Sequence, residues 1–208
     1  MTCVPDLATH DDDGSGAPRP VLVWRFPSPL RTISSAVLGG GLGERRWVVN
    51  AEVHEQYHLA PEPHLRRIAA GLGLRGAGVG LLTAAPVRRF TNRADAGAEC
   101  AATVGLSVPT WAAAPDAPAP PVGTINLVCR VPAPLDDAAL VNAVVTVTEA
   151  KTQALLEAGI RGTGTASDAV LICCPTGGGE PYGGPRPTWG ARLARAVHAA
   201  VTAGTLLG

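Results

Sequence analysis

The sequence has almost no lysine or methionine: Lys151 is the only lysine and Met1 the only methionine among 208 residues. Aromatic residues make up 4% of the chain, and no apolar run reaches the roughly 18 residues that a membrane-spanning helix requires. Lys plus Arg and Asp plus Glu number 17 each, so the formal net charge is zero. The composition therefore excludes a transmembrane helix and gives no electrostatic indication of a nucleic-acid or membrane-surface partner.

The cysteine pattern also lacks the spacing of a metal site. Five cysteines occur, an odd number, and no two form a C-x-x-C pair. Free thiols in a reducing cytoplasm are expected. Residues 1–20 contain no apolar segment of the kind found in signal peptides and are expected to form a disordered tail. Residues 21–208 are long enough for one sizeable core and are predicted to form a single domain.

The order of apolar and turn-forming segments predicts an α+β fold. Residues 21–26 and 31–37 are predicted to pair as a hairpin across a Pro-Ser-Pro turn. Helices are predicted over 61–74, 135–159 and 189–204 from their apolar periodicity and end signals. With about eight strands, often consecutive, and about three main helices, we expect one domain built on mostly antiparallel or mixed β-sheet.

The segment HEQYHLAPEPH, residues 54–64, matches a zinc-protease signature. His54, Glu55 and His58 spell H-E-x-x-H, and His64 falls where the longer motif has its third ligand. The longer motif requires glycine at position 61, where this chain has Pro61, and the preceding residues resemble a strand. The segment is therefore interpreted as a strand-to-helix connection, with a zinc hydrolase kept as an alternative.

Polar residues are spaced regularly along the longest predicted helix. Asn142, Thr146, Glu149 and Gln153 follow one another at +4, +3 and +4, so they lie on one stripe. The stripe is mostly uncharged, and it is consistent either with a solvated face or with the wall of a partly buried cleft.

The loop after this helix, RGTGTASDAV at 161–170, is rich in hydroxyl groups and glycine. It is interpreted either as a hydroxyl-capped turn or as an active-site loop. In the second case Thr165 or Ser167 is a candidate nucleophile, activated by Lys151 or Glu149 if the end of the helix lies beside the loop.

Several stretches together match one known family. They cover residues 31–175 and read ISSAVLGGGLG, WVVNAEV, GVGLLTAA, ATVGLSVPT, GTINLV, LDDAALVNAVVTVTEAKTQAL and GTGTASDAV. With these motifs the chain resembles the adenosylcobinamide amidohydrolase family. The segment 54–64 is not among the shared motifs, and its histidines are expected at most to line the rim of the corrinoid cleft that the resemblance implies.

The resemblance implies a cytoplasmic enzyme that hydrolyses the amide between the aminopropanol arm and the corrin ring of adenosylcobinamide. The product would be adenosylcobyric acid, which re-enters cobalamin synthesis. The partner would be this small-molecule corrinoid, with no nucleic acid or membrane involved. The cobalt belongs to the substrate, so neither a cofactor nor a protein-bound metal is implied.

The resemblance also suggests which residues bind the substrate, whereas the catalytic candidates are inferred from the residue types in the helix and the loop described above. Residues at positions of the family's polar motifs are candidates for substrate binding: Asn50, Thr83, Thr103, Asn126 and Asn142. Thr146, on the helix stripe, is a further candidate. The candidate catalytic residues are Glu149, Lys151, Thr165, Ser167, Asp168 and, as an outside candidate, Ser35.

The expected roles follow from the needs of amide hydrolysis, which are a nucleophile, an oxyanion donor and an acid for the leaving amine. Thr165 or Ser167 would attack, or Glu149 would activate a water molecule. Lys151 or backbone N–H groups would hold the oxyanion. A corrinoid-binding protein without hydrolytic activity remains an alternative, because its cleft would have the same sequence pattern.

Overall fold

The computed structural model describes residues 4–10, 17–115 and 123–207. One mixed sheet contains eight strands: β1 Asp6–His10, β2 Arg19–Ser34, β3 Gly41–Glu52, β4 Gly78–Thr83, β5 Thr91–Asp95, β6 Ala98–Gly105, β7 Thr124–Arg130 and β8 Ala169–Cys174. Three helices accompany it: α1 Pro61–Gly71, α2 Asp137–Glu157 and α3 Thr188–Thr205. The predicted α+β single domain is confirmed.

The strand order is β4-β3-β2-β8-β7-β6-β5, and β1 pairs with the first part of β2. β3 is parallel to β4 and β7 is parallel to β8, while the other pairs are antiparallel. Each parallel pair is connected through a helix, α1 in the first and α2 in the second, because parallel neighbours require a crossover connection.

The sheet folds over on itself. Leu22 and Val48 on one half share an apolar cluster with Val128 and Leu171 on the other half. Residues of opposite parity on the same strands pack instead against the helices, α1 on one half and α2 with α3 on the other. Residues 48 and 128 therefore belong to an inner face, enclosed between the two halves of the sheet.

Two predictions about the N-terminal region differ from the structure. Residues 21–26 and 31–37 do not form a hairpin, because β2 runs continuously through the Pro-Ser-Pro segment and pairs with β3 on both sides of it. The strand accommodates Pro27 and Pro29 by a register irregularity between Arg25 and Leu30. At this irregularity the prolines do not have to donate a backbone hydrogen bond to β3.

The expected disordered tail over 1–20 also differs from the structure, since Asp6–His10 forms β1 and β2 already begins at Arg19. Residues 1–3 and 11–16 of that prediction lie outside the described residues. Within the described parts of the chain, none of the helices combines the length and apolar character that crossing a bilayer would need.

The start of α3 packs very closely on residues 183–184. A Cβ on Gly190 would lie 1.8 Å from the carbonyl oxygen of Gly184 and 2.5 Å from that of Gly183, and these are backbone atoms that cannot rotate away. Gly71, at the end of α1, has no atom within 4 Å of the corresponding position. The two helical glycines therefore differ sharply in how much space surrounds them.

We expect Gly190→Ala to lower the free energy of unfolding by about 1–3 kcal/mol or more, because the added methyl overpacks this contact. Gly71→Ala is the matched control and should be neutral or stabilising by up to about 1 kcal/mol, since alanine is the better helix former. Urea unfolding of both variants measures this, and equal effects would contradict the close contact.

Candidate active site

The inner face of the folded sheet changes from apolar to polar toward one end. On one half of the sheet, Asn50 of β3 and Thr83 of β4 occupy inner-face positions. On the other half, Thr103 of β6 and Asn126 of β7 occupy the same face. All four are buried. Polar residues that were expected to bind substrate thus meet between the two halves of the sheet.

These side chains form a directional hydrogen-bond chain. Asn126 donates from Nδ2 to the carbonyl oxygen of Leu82 at 3.0 Å and to Oδ1 of Asn50 at 2.8 Å. Asn50 in turn donates from Nδ2 to Oγ1 of Thr103 at 3.0 Å. Because a backbone carbonyl only accepts, the Leu82 contact determines which way both amides point. This chain of hydrogen bonds joins the two halves of the sheet at its polar end.

Asp168 lies beside this end, in the loop before β8, and its carboxylate accepts four hydrogen bonds. Oδ1 accepts from the backbone N–H of Ile125 at 2.9 Å and from Oγ1 of Thr165 at 2.5 Å. Oδ2 accepts from Nζ of Lys151 at 2.5 Å and from the backbone N–H of Thr165 at 3.1 Å. The carboxylate therefore connects β7, the loop and α2.

The Lys151–Asp168 pair is largely withdrawn from water, with side-chain exposures of 9% and 13%. Gly164 makes room for it, because a Cβ there would lie 2.2 Å from Oδ2 of Asp168 and 2.6 Å from Nζ of Lys151. The glycine in the GTGT segment is thus explained by the close approach of this ion pair to the backbone.

A cavity of about 460 Å³ opens above the polar end of the inner face. Its walls come from the turn after β2, the connection between β3 and α1, the end of β4, the start of β7 and the loop before β8. The polar residues in its lining are Ser35, His54, Glu55, Tyr57, Thr83, Thr124, Asn126, Ser167 and Asp168. A second cavity of about 410 Å³ adjoins it and shares Glu55, Ala84 and Thr124.

Five of the predicted site residues line this cavity: Ser35, Thr83, Asn126, Ser167 and Asp168. Four others support it from behind through the hydrogen bonds described above: Asn50, Thr103, Lys151 and Thr165. The structure therefore brings together most of the residues that the sequence singled out, from seven separate segments of the chain.

Three predicted residues, all on α2, lie elsewhere. Glu149 is exposed and borders a shallow groove on the outer face of the helix. Asn142 is exposed, and Thr146 donates to the carbonyl oxygen of Gly183 at 2.8 Å, so its hydroxyl holds the segment before α3. The face of α2 that points to the loop carries Lys151. The stripe with Asn142, Thr146 and Glu149 lies on a different face of the helix, so it does not form the cavity wall.

The HEQYH segment is not a helix. His54, Glu55 and His58 are exposed and lie in or beside the turn at 55–56, whereas His64 is buried in α1. The i, i+4 ligand geometry of a zincin therefore does not exist here. In the described parts of the chain, no three His, Cys, Asp or Glu side chains come close enough to share a metal ion.

The hydroxyl groups in the cavity differ in how they are bound. Ser167 donates from Oγ to the carbonyl oxygen of Gly123 at 3.0 Å and lies 2.7 Å from Oγ1 of Thr124. Ser35 accepts the backbone N–H of Val170 at 3.1 Å, which leaves its own proton available to a ligand. None of these contacts gives a serine a basic neighbour, which a serine nucleophile requires.

The cysteines supply no nucleophile to this cavity. Cys100, Cys129, Cys173 and Cys174 are buried free thiols in the core, and Cys3 lies outside the described residues. Burial raises the pKa of the Cys174 thiol, which disfavours its reactive thiolate form.

The sequence pattern assigned Glu55 only to a zinc motif, placed the histidines of that segment at most on the rim of the cleft, and did not single out Tyr57 or Thr124. A signal for Thr124 was present, because it precedes Asn126 by two residues on a strand and therefore shares its face. For the 54–57 turn no such periodic signal exists, since its position depends on how the chain leaves the sheet.

An open, mostly apolar cavity whose walls carry two carboxylates, an imidazole and several hydroxyls is typical of an enzyme that acts on a small molecule. No Arg or Lys lines it among the described residues, so a neutral ligand suits it better than an anion.

Comparison with known proteins specifies the family. The family model described as adenosylcobinamide amidohydrolase matches residues 5–207. An adenosylcobinamide amidohydrolase of Methanosarcina mazei is 31% identical over 181 residues, which are 82% of this chain and 88% of that protein. An adenosylcobinamide amidohydrolase of Halobacterium salinarum is 44% identical over 112 residues, 50% of this chain and 48% of that protein. The chain belongs to the adenosylcobinamide amidohydrolase family.

The ion pair behind the cavity makes a testable prediction. Asp168→Asn leaves the Lys151 ammonium buried without its counter-charge, and we expect it to lower the free energy of unfolding by about 3–5 kcal/mol. Lys151→Met should be destabilising too, because it leaves the carboxylate unpaired. The double variant should cost clearly less than the two single losses added together.

Urea unfolding of the three variants and the wild type completes this double-mutant cycle. Strict additivity would show that the two charges do not stabilise each other and would contradict the geometry described here.

Proposed function

We propose that this protein hydrolyses adenosylcobinamide at the amide that joins the aminopropanol arm to a propionate of the corrin ring. The products are adenosylcobyric acid and the released amino alcohol, and the reaction serves cobalamin salvage in the cytoplasm. Membership of the family supports the reaction type, and the cavity beside the Lys151–Asp168 pair is the observation that supports the place where it occurs.

The cavity suits the arm rather than the whole substrate. Its volume of about 460 Å³ is in the lower part of the range that pockets for drug-sized ligands occupy. The corrin macrocycle with its amide side chains is larger, so we place the arm and scissile amide inside and the ring at the mouth. There Val37, which is 55% exposed, offers an apolar surface.

The lining has the composition that a neutral amide requires. Hydroxyl groups of Ser35, Thr124 and Ser167 can donate to or accept from the amide and the arm's hydroxyl. Thr165, an expected nucleophile, has its oxygen committed to the loop, at 2.7 Å from the carbonyl oxygen of Gly123 and close to Asp168. We therefore assign Thr165 and Asp168 to holding the loop and not to the chemical step.

Cobalt takes part in this proposal as a component of the corrinoid substrate. The reaction itself is the addition of water to an amide, which needs a base, a group that stabilises the oxyanion and a proton for the leaving amine. The cavity lining contains candidate groups for each requirement, so we propose no resident cofactor.

The proposed activity is tested by incubating the purified protein with adenosylcobinamide and following adenosylcobyric acid by mass spectrometry. We expect product formation that continues over many turnovers and is unchanged by a chelator added to the protein. Binding of adenosylcobinamide without product would show a non-catalytic corrinoid-binding protein instead. Loss of activity in chelator that is restored by Zn²⁺ would support a zinc hydrolase.

A further inference from the structure

The groups lining the cavity differ in whether they can accept a proton from water. Asp168 cannot readily do so, because both of its oxygens already accept hydrogen bonds, one of them from the Lys151 ammonium. The hydroxyl groups of serine and threonine are not bases at neutral pH. This leaves the two residues at the start of the HEQYH segment, His54 and Glu55.

His54 is oriented by its own backbone. Its Nδ1 accepts the backbone N–H of Gln56 at 3.1 Å, so the neutral ring carries its proton on Nε2. In that state the ring is not suited to removing a proton from water, because Nδ1 already accepts a hydrogen bond and Nε2 carries the ring proton.

Glu55 remains as the carboxylate available in the lining. It is exposed and borders both adjoining cavities, and the described structure shows no hydrogen bond that occupies its carboxylate oxygens. General bases are often carboxylates placed in this way, at the edge of an apolar cavity with access to water.

The turn that carries Glu55 is anchored on both sides. Before it, the backbone N–H of Val53 donates to the carbonyl oxygen of Thr83 at 2.9 Å. Within it, the N–H of Tyr57 donates to the carbonyl oxygen of His54 at 2.9 Å. After it, the Tyr57 hydroxyl lies 2.9 Å from Nδ1 of the buried His64, and the two rings stack at 5.4 Å. A residue in this turn is therefore positioned by the core.

From these observations we infer that Glu55 is the general base of a direct attack by water. This inference rests on the proposed amide hydrolysis and identifies its catalytic base. The glutamate of the H-E pair thus has a catalytic role without the ligand geometry of a zinc site.

The reaction balances in two steps. Glu55 takes a proton from water as the water oxygen bonds to the amide carbon and the carbonyl electron pair moves onto the carbonyl oxygen. The intermediate then collapses, the C–N bond breaks, and the protonated Glu55 returns its proton to the leaving nitrogen. The products are a carboxylic acid and an amine, and Glu55 is again ionised.

The test compares Glu55→Gln with Glu62→Gln, which removes an exposed carboxylate on α1 whose only described contact is the ion pair with Arg66. We expect Glu55→Gln to lower kcat by about 10²–10⁴-fold with little change in KM, because only proton transfer is lost. Glu62→Gln should retain wild-type kcat. An unchanged kcat in Glu55→Gln would overturn the assignment.

Two further measurements separate the water mechanism from its alternatives. His58→Ala should retain activity, whereas a zinc site would lose a ligand. Trapping of a corrinoid acyl group on Ser35 or Ser167 would also overturn the water mechanism. If the wild type itself forms no adenosylcobyric acid, the proposed function fails and not merely the assignment of Glu55.

Discussion

The carboxylate of Asp168 is the contact on which the rest of the cavity depends. It accepts hydrogen bonds from β7, from its own loop and from Lys151 on α2. A buried carboxylate is tolerated only when its charge and its lone pairs are satisfied, and here four donors do so. Because these contacts hold the loop against the start of β7, they also place Ser167 beside Thr124 in the cavity wall.

The folding of the sheet explains why the cavity lies where it does. The inner face is apolar at positions such as Val48 and Val128 and becomes polar two residues away, at Asn50 and Asn126. The amide chain between the two halves satisfies both Nδ2 groups and Oδ1 of Asn50, and the cavity opens at this end of the inner face. A neutral, amide-rich ligand such as a corrinoid arm finds there a surface of similar chemistry.

Much of this arrangement could be predicted from the sequence, since helices and strands follow local periodicity. The buried position of Lys151 could also be predicted, because its spacing from Val147, Ala154 and Leu155 puts it on the buried face of α2, whereas Glu149 points away. The continuous strand β2 could not be predicted, because a Pro-Ser-Pro segment usually indicates a turn. Only pairing with β3 keeps this segment extended. The turn carrying Glu55 was missed because its position depends on contacts distant in sequence.

The proposed function places the corrinoid arm in the cavity between the turn carrying Glu55 and the start of β7. A crystal structure of the Glu55→Gln variant with adenosylcobinamide is the decisive test of this placement. We expect the scissile amide between residue 55, Ser35 and Thr124, with the corrin ring at the mouth beside Val37. A corrinoid bound instead along the outer face of α2, next to Glu149, would contradict it.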